Sequence, residues 1–125
     1  MNSKREVIIC DFDGTLYSNG LVSGVAGFLL GRQPDYDIII VTSRRYGNGI
    51  SQIQRVCFDA GIRPAAICPG LGHDNCYLKA SIAKKIQRRT RVALAIDNNP
   101  DVVLEYQQLG IKATGPEGLD TAAVL

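Results

Sequence analysis

Two aspartates follow an apolar run near the start of the chain, in the stretch VIICDFDGTL at 7–16. Asp11 and Asp13 are two residues apart, and alternate side chains of an extended chain point to the same side. Two carboxylates so close together repel each other, and removing them from water costs free energy unless a positive charge is near. The pair therefore predicts either a solvated turn or a site that binds a cation.

Polar side chains also end two later apolar runs, DIIIVTSR at 37–44 and VALAIDNN at 92–99. They are Thr42, Ser43, Arg44 and Asp97, with Asp101 four residues further on. Several carboxylates with no histidine cluster favour a hard cation that binds oxygen, and Mg²⁺ fits best. The chemistry that uses such a cation is phosphoryl transfer. There a carboxylate attacks phosphorus, a lysine neutralises the phosphate and a second acid protonates the leaving oxygen.

These polar residues have to be positioned by the elements that precede them. Runs rich in Val and Ile predict buried parallel strands at 6–13, 37–44, 65–70 and 92–99. The patterns between them predict helices at 48–60, 77–89 and 100–109, a weaker glycine-containing helix at 21–32, and a short fifth strand near 111–113. This alternation predicts an α/β fold, a three-layer Rossmann-like open parallel sheet. Because ligands bind outside the carboxyl ends of such strands, the polar residues should gather at one edge.

The bulk composition fits one domain over 1–125. The chain is 46% apolar and 21% charged, as in ordinary soluble globular proteins, and its net charge of +2 gives no general signature of nucleic-acid binding. We find no secretory signal and no apolar segment of transmembrane length. The four cysteines form no CxxC motif. These features predict a reduced, cytoplasmic protein with no membrane contact.

The loop CPGLGHDNC raises the question of a zinc site, because it holds Cys68, His73 and Cys76. Their spacing falls short of a recognisable zinc pattern, even with Cys57 as a fourth ligand. A loop that contains unrelated cysteines is the favoured interpretation.

Four motifs in order give the chain a resemblance to the haloacid dehalogenase (HAD) superfamily over nearly its whole length. They are DFDGTL, IIIVT, the lysine of LKASIAKKI, and IDNNPD. The resemblance implies that Asp11 is the nucleophile and Asp13 the general acid/base. It also implies that Thr42 and Lys79 bind the phosphoryl group. From their positions after the second motif, Ser43 competes with Thr42 for the phosphate and Arg44 is a further candidate substrate contact.

The same resemblance implies a magnesium site. Asp11, the main-chain carbonyl of Asp13, and Asp97 would bind the ion, with Asp101 or Asn98 in support. An acid two residues after the nucleophile is typical of the phosphatases in this superfamily. The expected reaction is therefore hydrolysis of a phosphomonoester through an aspartyl-phosphate intermediate.

The segments between the motifs leave no room for the cap domain that most members of the superfamily insert. Residues 17–36 suffice for one helix, and residues 45–78 for a helix, a short strand and a loop. By analogy with the superfamily, an uncapped site suits a macromolecular end or a phosphoprotein better than a small metabolite.

A closer likeness points to nucleic-acid ends. VTSRR, LKASIAKKI and LAIDNNPDVVLEYQQLGIKATG resemble the phosphatase domain of phage polynucleotide kinase/phosphatases, which removes 3′-phosphates. The chain departs from that domain at Asn98, where the domain has a second adjacent aspartate, and at Asp101. No kinase P-loop is present, so a kinase or ligase partner would be a separate chain.

Basic residues contribute little to this interpretation. Arg44 and Arg45 follow the second motif, where a phosphodiester backbone could contact them. A second basic cluster, favoured as a solvated helix face, comprises Lys84, Lys85, Arg88, Arg89 and Arg91.

The leading hypothesis is a Mg²⁺-dependent phosphatase that acts on a nucleic-acid terminus, a 3′-phosphate in particular. A phosphatase for a phosphoprotein or a small phosphomonoester, with a homo-oligomer covering the site, is the second hypothesis. A catalytically weak domain that binds a nucleic acid or a protein is the third, although the intact motif residues argue against it.

Overall fold

The apolar runs predicted as strands pair into one sheet in the computed structural model, which describes residues 5–119. All five strands are parallel, and the sheet has the order β3-β2-β1-β4-β5. The strands are β1 Val7–Cys10, β2 Asp37–Val41, β3 Ala66–Cys68, β4 Val92–Ile96 and β5 Ala113–Thr114. The helices between them are α1 Ser23–Arg32, α2 Asn48–Ala60, α3 Cys76–Gln87 and α4 Pro100–Gln108.

Each face of the sheet is covered by two helices, and each interface is a separate apolar cluster. Helices α1 and α2 bury Leu29 and Ile53 on one face. Helices α3 and α4 bury Ala83 and Tyr106 on the other. Alternate residues of β1 belong to the two clusters, as expected of a strand buried on both faces. The predicted three-layer α/β fold is confirmed.

Local sequence sets the ends of the helices that carry site residues. The side chain of Asn75 accepts a hydrogen bond from the backbone N–H of Leu78 at 3.0 Å and so caps α3. Asn99 caps α4 in the same way, and Pro100 occupies the first helical position. Gly61 ends α2 with a φ of +79°, which favours glycine.

The strands are shorter than the sequence predicted, and the first is the most informative case. β1 ends at Cys10, so the extension to residue 13 was wrong. The backbone N–H groups of three residues at 15–17 all donate to the carbonyl of Phe12, which closes a tight turn directly after the strand. Gly14 adopts a φ of +78° in this turn, and a Cβ there would collide with the amide of Asn98. Asp11 and Asp13 therefore lie on a turn rather than on a strand.

The connections between successive strands hold one helix each, and residues 5–119 contain no cap domain. Helix α1 forms despite its three glycines because Val25, Ala26 and Leu29 bury one side of it. None of the described helices combines the length and the apolar character that a membrane span requires. The predicted domain of 1–125 also includes residues 1–4 and 120–125, which lie outside the described residues.

Candidate active site

Lys79 holds two buried aspartates together at the carboxyl edge of the sheet. Its Nζ lies 3.0 Å from Asp11 Oδ1 and 2.8 Å from Asp97 Oδ2. Asp11 follows β1, Asp97 follows β4, and Lys79 projects from the first turn of α3. All three residues are at least 95% buried. The structure thus brings together the predicted nucleophile, the predicted phosphate-binding lysine and a predicted metal ligand.

Burial and like charge shift the protonation of these groups. Burial, followed by repulsion from Asp97, raises the pKa of Asp11 to about 6, although Lys79 opposes the shift. Burial also raises the pKa of Asp97. Burial alone would lower the pKa of Lys79, but attraction to the two carboxylates outweighs it and raises that pKa. Two carboxylates against one ammonium leave the ionised cluster with a net negative charge, which a further cation or a proton would reduce.

The raised pKa of Asp11 predicts how pH affects the metal-free protein. Because the folded-state value lies above 3.8, its ordinary value, the folded protein binds more protons than the unfolded chain between about pH 4 and pH 6. In the presence of a chelator, the unfolding free energy of the wild-type protein should fall by about 3 kcal/mol relative to that of Asp11→Asn as pH rises through that window. Urea unfolding of both proteins at pH 4 and pH 7 measures the difference. A difference that does not change with pH would contradict the prediction.

Asp13 has a different environment from Asp11. Its side chain is half exposed and forms a bidentate ion pair with Arg44, with Nε–Oδ2 at 2.8 Å and Nη2–Oδ1 at 2.6 Å. The remaining donor group of Arg44, Nη1, binds the carbonyl of Gly49 and the side chain of Gln52, and the guanidinium lies over the ring of Phe12. Hydrogen bonding to Asp13 raises the pKa of Arg44. Arg44, predicted as a substrate contact, thus holds the predicted acid/base in this structure.

The amide of Asn98 lies between the turn after β1 and the loop after β4. One of its amide atoms is 3.0 Å from Asp11 Oδ2 and 3.3 Å from the main-chain oxygen of Asp13. In one amide orientation that atom is a nitrogen, which donates to both oxygens; in the other it is an oxygen, and three oxygens face one another. Thr15 ties the two loops together. Its hydroxyl lies 3.1 Å from Asp11 Oδ2 and accepts from the backbone N–H of Asn98 at 3.0 Å.

With the amide oxygen of Asn98 turned toward Asp11 Oδ2 and the Asp13 carbonyl, the three oxygens would fit a magnesium ion. Adjacent ligands of an octahedral ion at about 2.1 Å are about 3 Å apart, close to the separations around Asn98. Residues 5–119 contain no group of three His, Cys, Asp or Glu side chains arranged to hold a metal. The fit therefore depends on a main-chain oxygen and an amide oxygen beside Asp11. Asp101 is exposed in the first turn of α4 and lines a cavity with Asp97 and Asn98, so its part in a metal site stays a prediction.

Asp74 is a site residue that the sequence analysis missed. Its Oδ1 accepts from Ser43 at 2.6 Å and lies 3.5 Å from Lys79 Nζ, and its Oδ2 accepts from Asn99 at 2.6 Å. The hydrogen bonds from Ser43 and Asn99, opposed by burial, lower the pKa of Asp74. This carboxylate thus connects the loops after β2 and β4 to α3. The signal in the sequence was its position in the loop directly before the capping residue of α3.

Thr42 and Ser43 follow β2 as predicted, but they differ in their surroundings. Thr42 is buried, its backbone N–H donates to Cys68, and its hydroxyl accepts from the backbone N–H of Arg44 at 3.2 Å. Ser43 is half-buried, and its hydroxyl donates to Asp74. Both lie at the edge where Lys79 and the aspartates meet.

The side chains of the remaining candidates form no hydrogen bond with Lys79 or with the site aspartates among residues 5–119. Cys68 and Cys76 pack against the apolar cluster beneath α3 and α4, and His73 is exposed. The basic residues after Ala83 are exposed along α3 and beyond it, as a solvated face would be: Lys84, Lys85, Arg88, Arg89 and Arg91.

Of the comparisons with known proteins, only the comparison with solved structures gives matches. No protein-family model matches the chain, and no curated protein matches it. Two chains from structures of the Pnkp1/Rnl/Hen1 RNA repair complex align with 92% of this chain at 23% identity and a TM-score of 0.73. An uncharacterized protein from Corynebacterium glutamicum aligns with 96% of it at 15% identity and a TM-score of 0.63.

The lengths of these neighbours differ. The chain spans 43% and 47% of the two repair-complex chains, less than half of each, and 90% of the Corynebacterium protein. At these identities the likeness supports the fold. It agrees with the parallel sheet and helix layers described above.

Proposed function

We propose that this domain is a Mg²⁺-dependent phosphomonoesterase of the HAD type that removes 3′-phosphates from nucleic-acid ends. One observation carries the proposal. The carboxylate of Asp11 lies at the carboxyl edge of the sheet, 3.0 Å from a buried ammonium, and the carboxylate of Asp13 is two residues away on the solvent side. A nucleophile, a cation and a proton-transfer group at one edge are the parts that phosphoryl transfer through an aspartate requires.

The first step forms the acyl phosphate. A carboxylate oxygen of Asp11 attacks phosphorus, and the ester P–O bond breaks as Asp13 gives a proton to the leaving oxygen. Lys79 is already within hydrogen-bonding distance of the nucleophile and can donate to a phosphoryl oxygen placed beside it. Thr42 contributes a hydroxyl at the same edge.

The second step returns the enzyme to its starting state. Asp13, now a carboxylate, takes a proton from water as the water oxygen attacks phosphorus, and inorganic phosphate leaves Asp11. In this structure Asp13 is paired with Arg44, so proton transfer requires that pair to separate. An anionic substrate gives Arg44 an alternative partner, and we expect the guanidinium to transfer from Asp13 to the phosphate as substrate binds.

Magnesium would be held by Asp11, the Asp13 carbonyl and a group after β4. When bound, it would offset the negative charge that phosphate and carboxylate share. Asn98 is placed for that role by its distance of 3.0 Å to Asp11 Oδ2. Asp97, also predicted as a ligand, accepts a hydrogen bond of 2.8 Å from Lys79 and so orients the lysine, and its part in holding the ion stays a prediction.

The nucleic-acid substrate is supported by two findings. No cap domain covers the site among the described residues, so a long substrate has access. Two structural neighbours belong to an RNA repair complex, which also makes a separate kinase or ligase chain a reasonable partner.

The decisive assay compares substrates with and without Mg²⁺. We expect phosphate release from a 3′-phosphorylated oligonucleotide, with a higher kcat/KM than for a 5′-phosphorylated oligonucleotide, a phosphopeptide or a small aryl phosphate. A chelator should abolish release, and added Mg²⁺ should restore it. Turnover confined to small esters or phosphopeptides would reject the nucleic-acid substrate. No release from any of them would favour a domain that binds without catalysis.

A further inference from the structure

An apolar groove of about 460 Å³ runs beside α2, on the face of the sheet that carries α1 and α2. We call it the α2 groove; Tyr46, Ile50, Phe58 and Ile67 are among the residues that line it. Two of its aromatic side chains are largely in solvent, since Tyr46 is 82% exposed and Phe58 is 83% exposed. Isolated apolar residues on a surface are ordinary, but two exposed aromatic rings lining one groove indicate a binding surface.

The charged side chain that lines the groove is an arginine. Arg63 lines it, and no carboxylate is among the described residues that do. On α2, Arg55 and Asp59 are both exposed near Phe58, and Arg55 lies outside the lining of the groove. Neither guanidinium forms an ion pair with the residues described at 5–119. Aromatic rings beside unpaired guanidinium groups are the surface that single-stranded nucleic acids bind, because bases stack on the rings and phosphates pair with arginine.

One end of the groove lies close to the candidate active site along the chain. Tyr46 follows Arg44 by two residues, so their Cα atoms are within about 7 Å of each other. From Tyr46 to Phe58 the chain covers twelve residues, mostly helical, which is about 18 Å along α2. The groove therefore begins beside the arginine that holds Asp13 and leads away from the site down one side of the domain.

We infer that the α2 groove binds the unpaired nucleotides that precede the 3′-phosphate, with Tyr46 and Phe58 stacking on bases and Arg63 contacting a phosphate. This inference rests on the proposed function and adds how the substrate is recognised. The active site then binds the terminal phosphate, while the groove binds the strand without sequence preference. It also requires the end to be single-stranded or frayed over the length of the groove.

Two other occupants fit the groove less well. A peptide strand could add to β3, which is an edge strand, but β3 has three residues and offers few backbone hydrogen bonds. A second copy of this chain would bring the Arg63 side chains of two molecules to one interface, where like charges repel.

Single substitutions in the groove test the inference. We expect Tyr46→Ala and Phe58→Ala each to weaken binding of a single-stranded oligonucleotide with an unphosphorylated 3′ end by between about 5-fold and 150-fold. Arg63→Ala should lower the slope of log K against log salt concentration by about 0.7. Fluorescence anisotropy measures both. The same aromatic variants should raise KM for the 3′-phosphorylated oligonucleotide and leave turnover of a small aryl phosphate unchanged.

Matched controls come from the opposite face of the sheet. Tyr77→Ala removes an aromatic side chain of α3 that is 74% exposed, and Arg88→Ala removes an exposed guanidinium. Both should bind the oligonucleotide like wild type. Because the anisotropy titration needs no turnover, loss of affinity in the groove variants supports the groove even if no 3′-phosphate is hydrolysed, a result that would reject the proposed function alone.

Two results would overturn the groove assignment. One is wild-type affinity and KM in all three groove variants. The other is a change of oligomeric state in Phe58→Ala, seen by sedimentation, with no loss of oligonucleotide affinity, which would make the groove a contact between copies of this chain.

Discussion

Replacing Asp11 by Asn should reduce phosphate release by on the order of 10⁴-fold or more. The amide has nearly the same shape as the carboxylate but is a poor nucleophile, so the acyl phosphate cannot form, and losing a covalent nucleophile has effects of this size in other hydrolases. Single-turnover measurements with excess enzyme check the prediction, since they report on the chemical step and not on product release.

The loss of activity in Asp11→Asn must be distinguished from a loss of folding. The pKa of Asp11 is raised to about 6, so its ionised form is disfavoured by burial, and removing the charge should leave unfolding in a chelator at pH 7 unchanged or shift it to higher urea. Asp35→Asn, at an exposed position in the turn after α1, is the matched control and should keep full activity. Turnover near the wild-type rate in Asp11→Asn would refute a covalent role for this residue.

The sequence predicts the place of the site because parallel strands put their carboxyl ends at one edge. The loops after Cys10, Val41 and Ile96 meet there, and each is predicted from an apolar run that ends in polar side chains. Helix α2 is also predicted at its observed bounds, since Gly61 ends an amphipathic pattern. Hydrophobic periodicity in the sequence therefore predicts which helices and strands form and to which edge of the sheet each strand leads.

The sequence does not predict which side chains contact one another at the site. Alternation placed Asp11 and Asp13 on one side of a strand, but the turn at Phe12 sends Asp11 to Lys79 and Asp13 to Arg44. The role of Asp74 depends on two hydrogen bonds from residues far apart in the chain, Ser43 and Asn99, and on its approach to Lys79. The position of Asp74 before the capping residue of α3 marks the loop, but not these contacts, because they exist only once the sheet has assembled.

The α2 groove shows the same limit. Phe58 lies off the apolar stripe of α2 that Ile53 and Cys57 form, so its exposure follows from the sequence. That Tyr46 lines the same groove does not follow, since Tyr46 lies in a loop. The α2 groove exists only because the fold brings the loop before α2 close to the segment after α2.

Replacing Lys79 by Met should destabilise the metal-free protein by about 3–5 kcal/mol at pH 8, the second large effect that we expect. Lys79 separates two carboxylates that are almost completely buried, and without it both charges remain desolvated and face each other. Removing one partner from a buried ion pair has effects of this size because the remaining charge is uncompensated. Urea unfolding in a chelator measures the change.

The pH dependence identifies the cause of that loss. The pKa of Lys79 is raised, so the lysine is charged throughout the range of ordinary buffers, and its stabilisation disappears only when pH rises through its folded-state pKa. Any change in the unfolding free energy at lower pH must therefore come from Asp11 and Asp97, whose pKa values are also raised. As pH falls and these carboxylates take up protons, the variant should recover most of its stability relative to wild type.

A lysine on the same helix provides the control for this substitution. Lys84→Met removes an exposed ammonium of α3 and should change the unfolding free energy by no more than about 0.5 kcal/mol at any pH. If Lys79→Met were as stable as Lys84→Met at pH 8, the buried charges would not be what Lys79 compensates. Recovery at low pH in Lys79→Met alone would instead tie the lysine to both aspartates, because Lys84 faces neither of them.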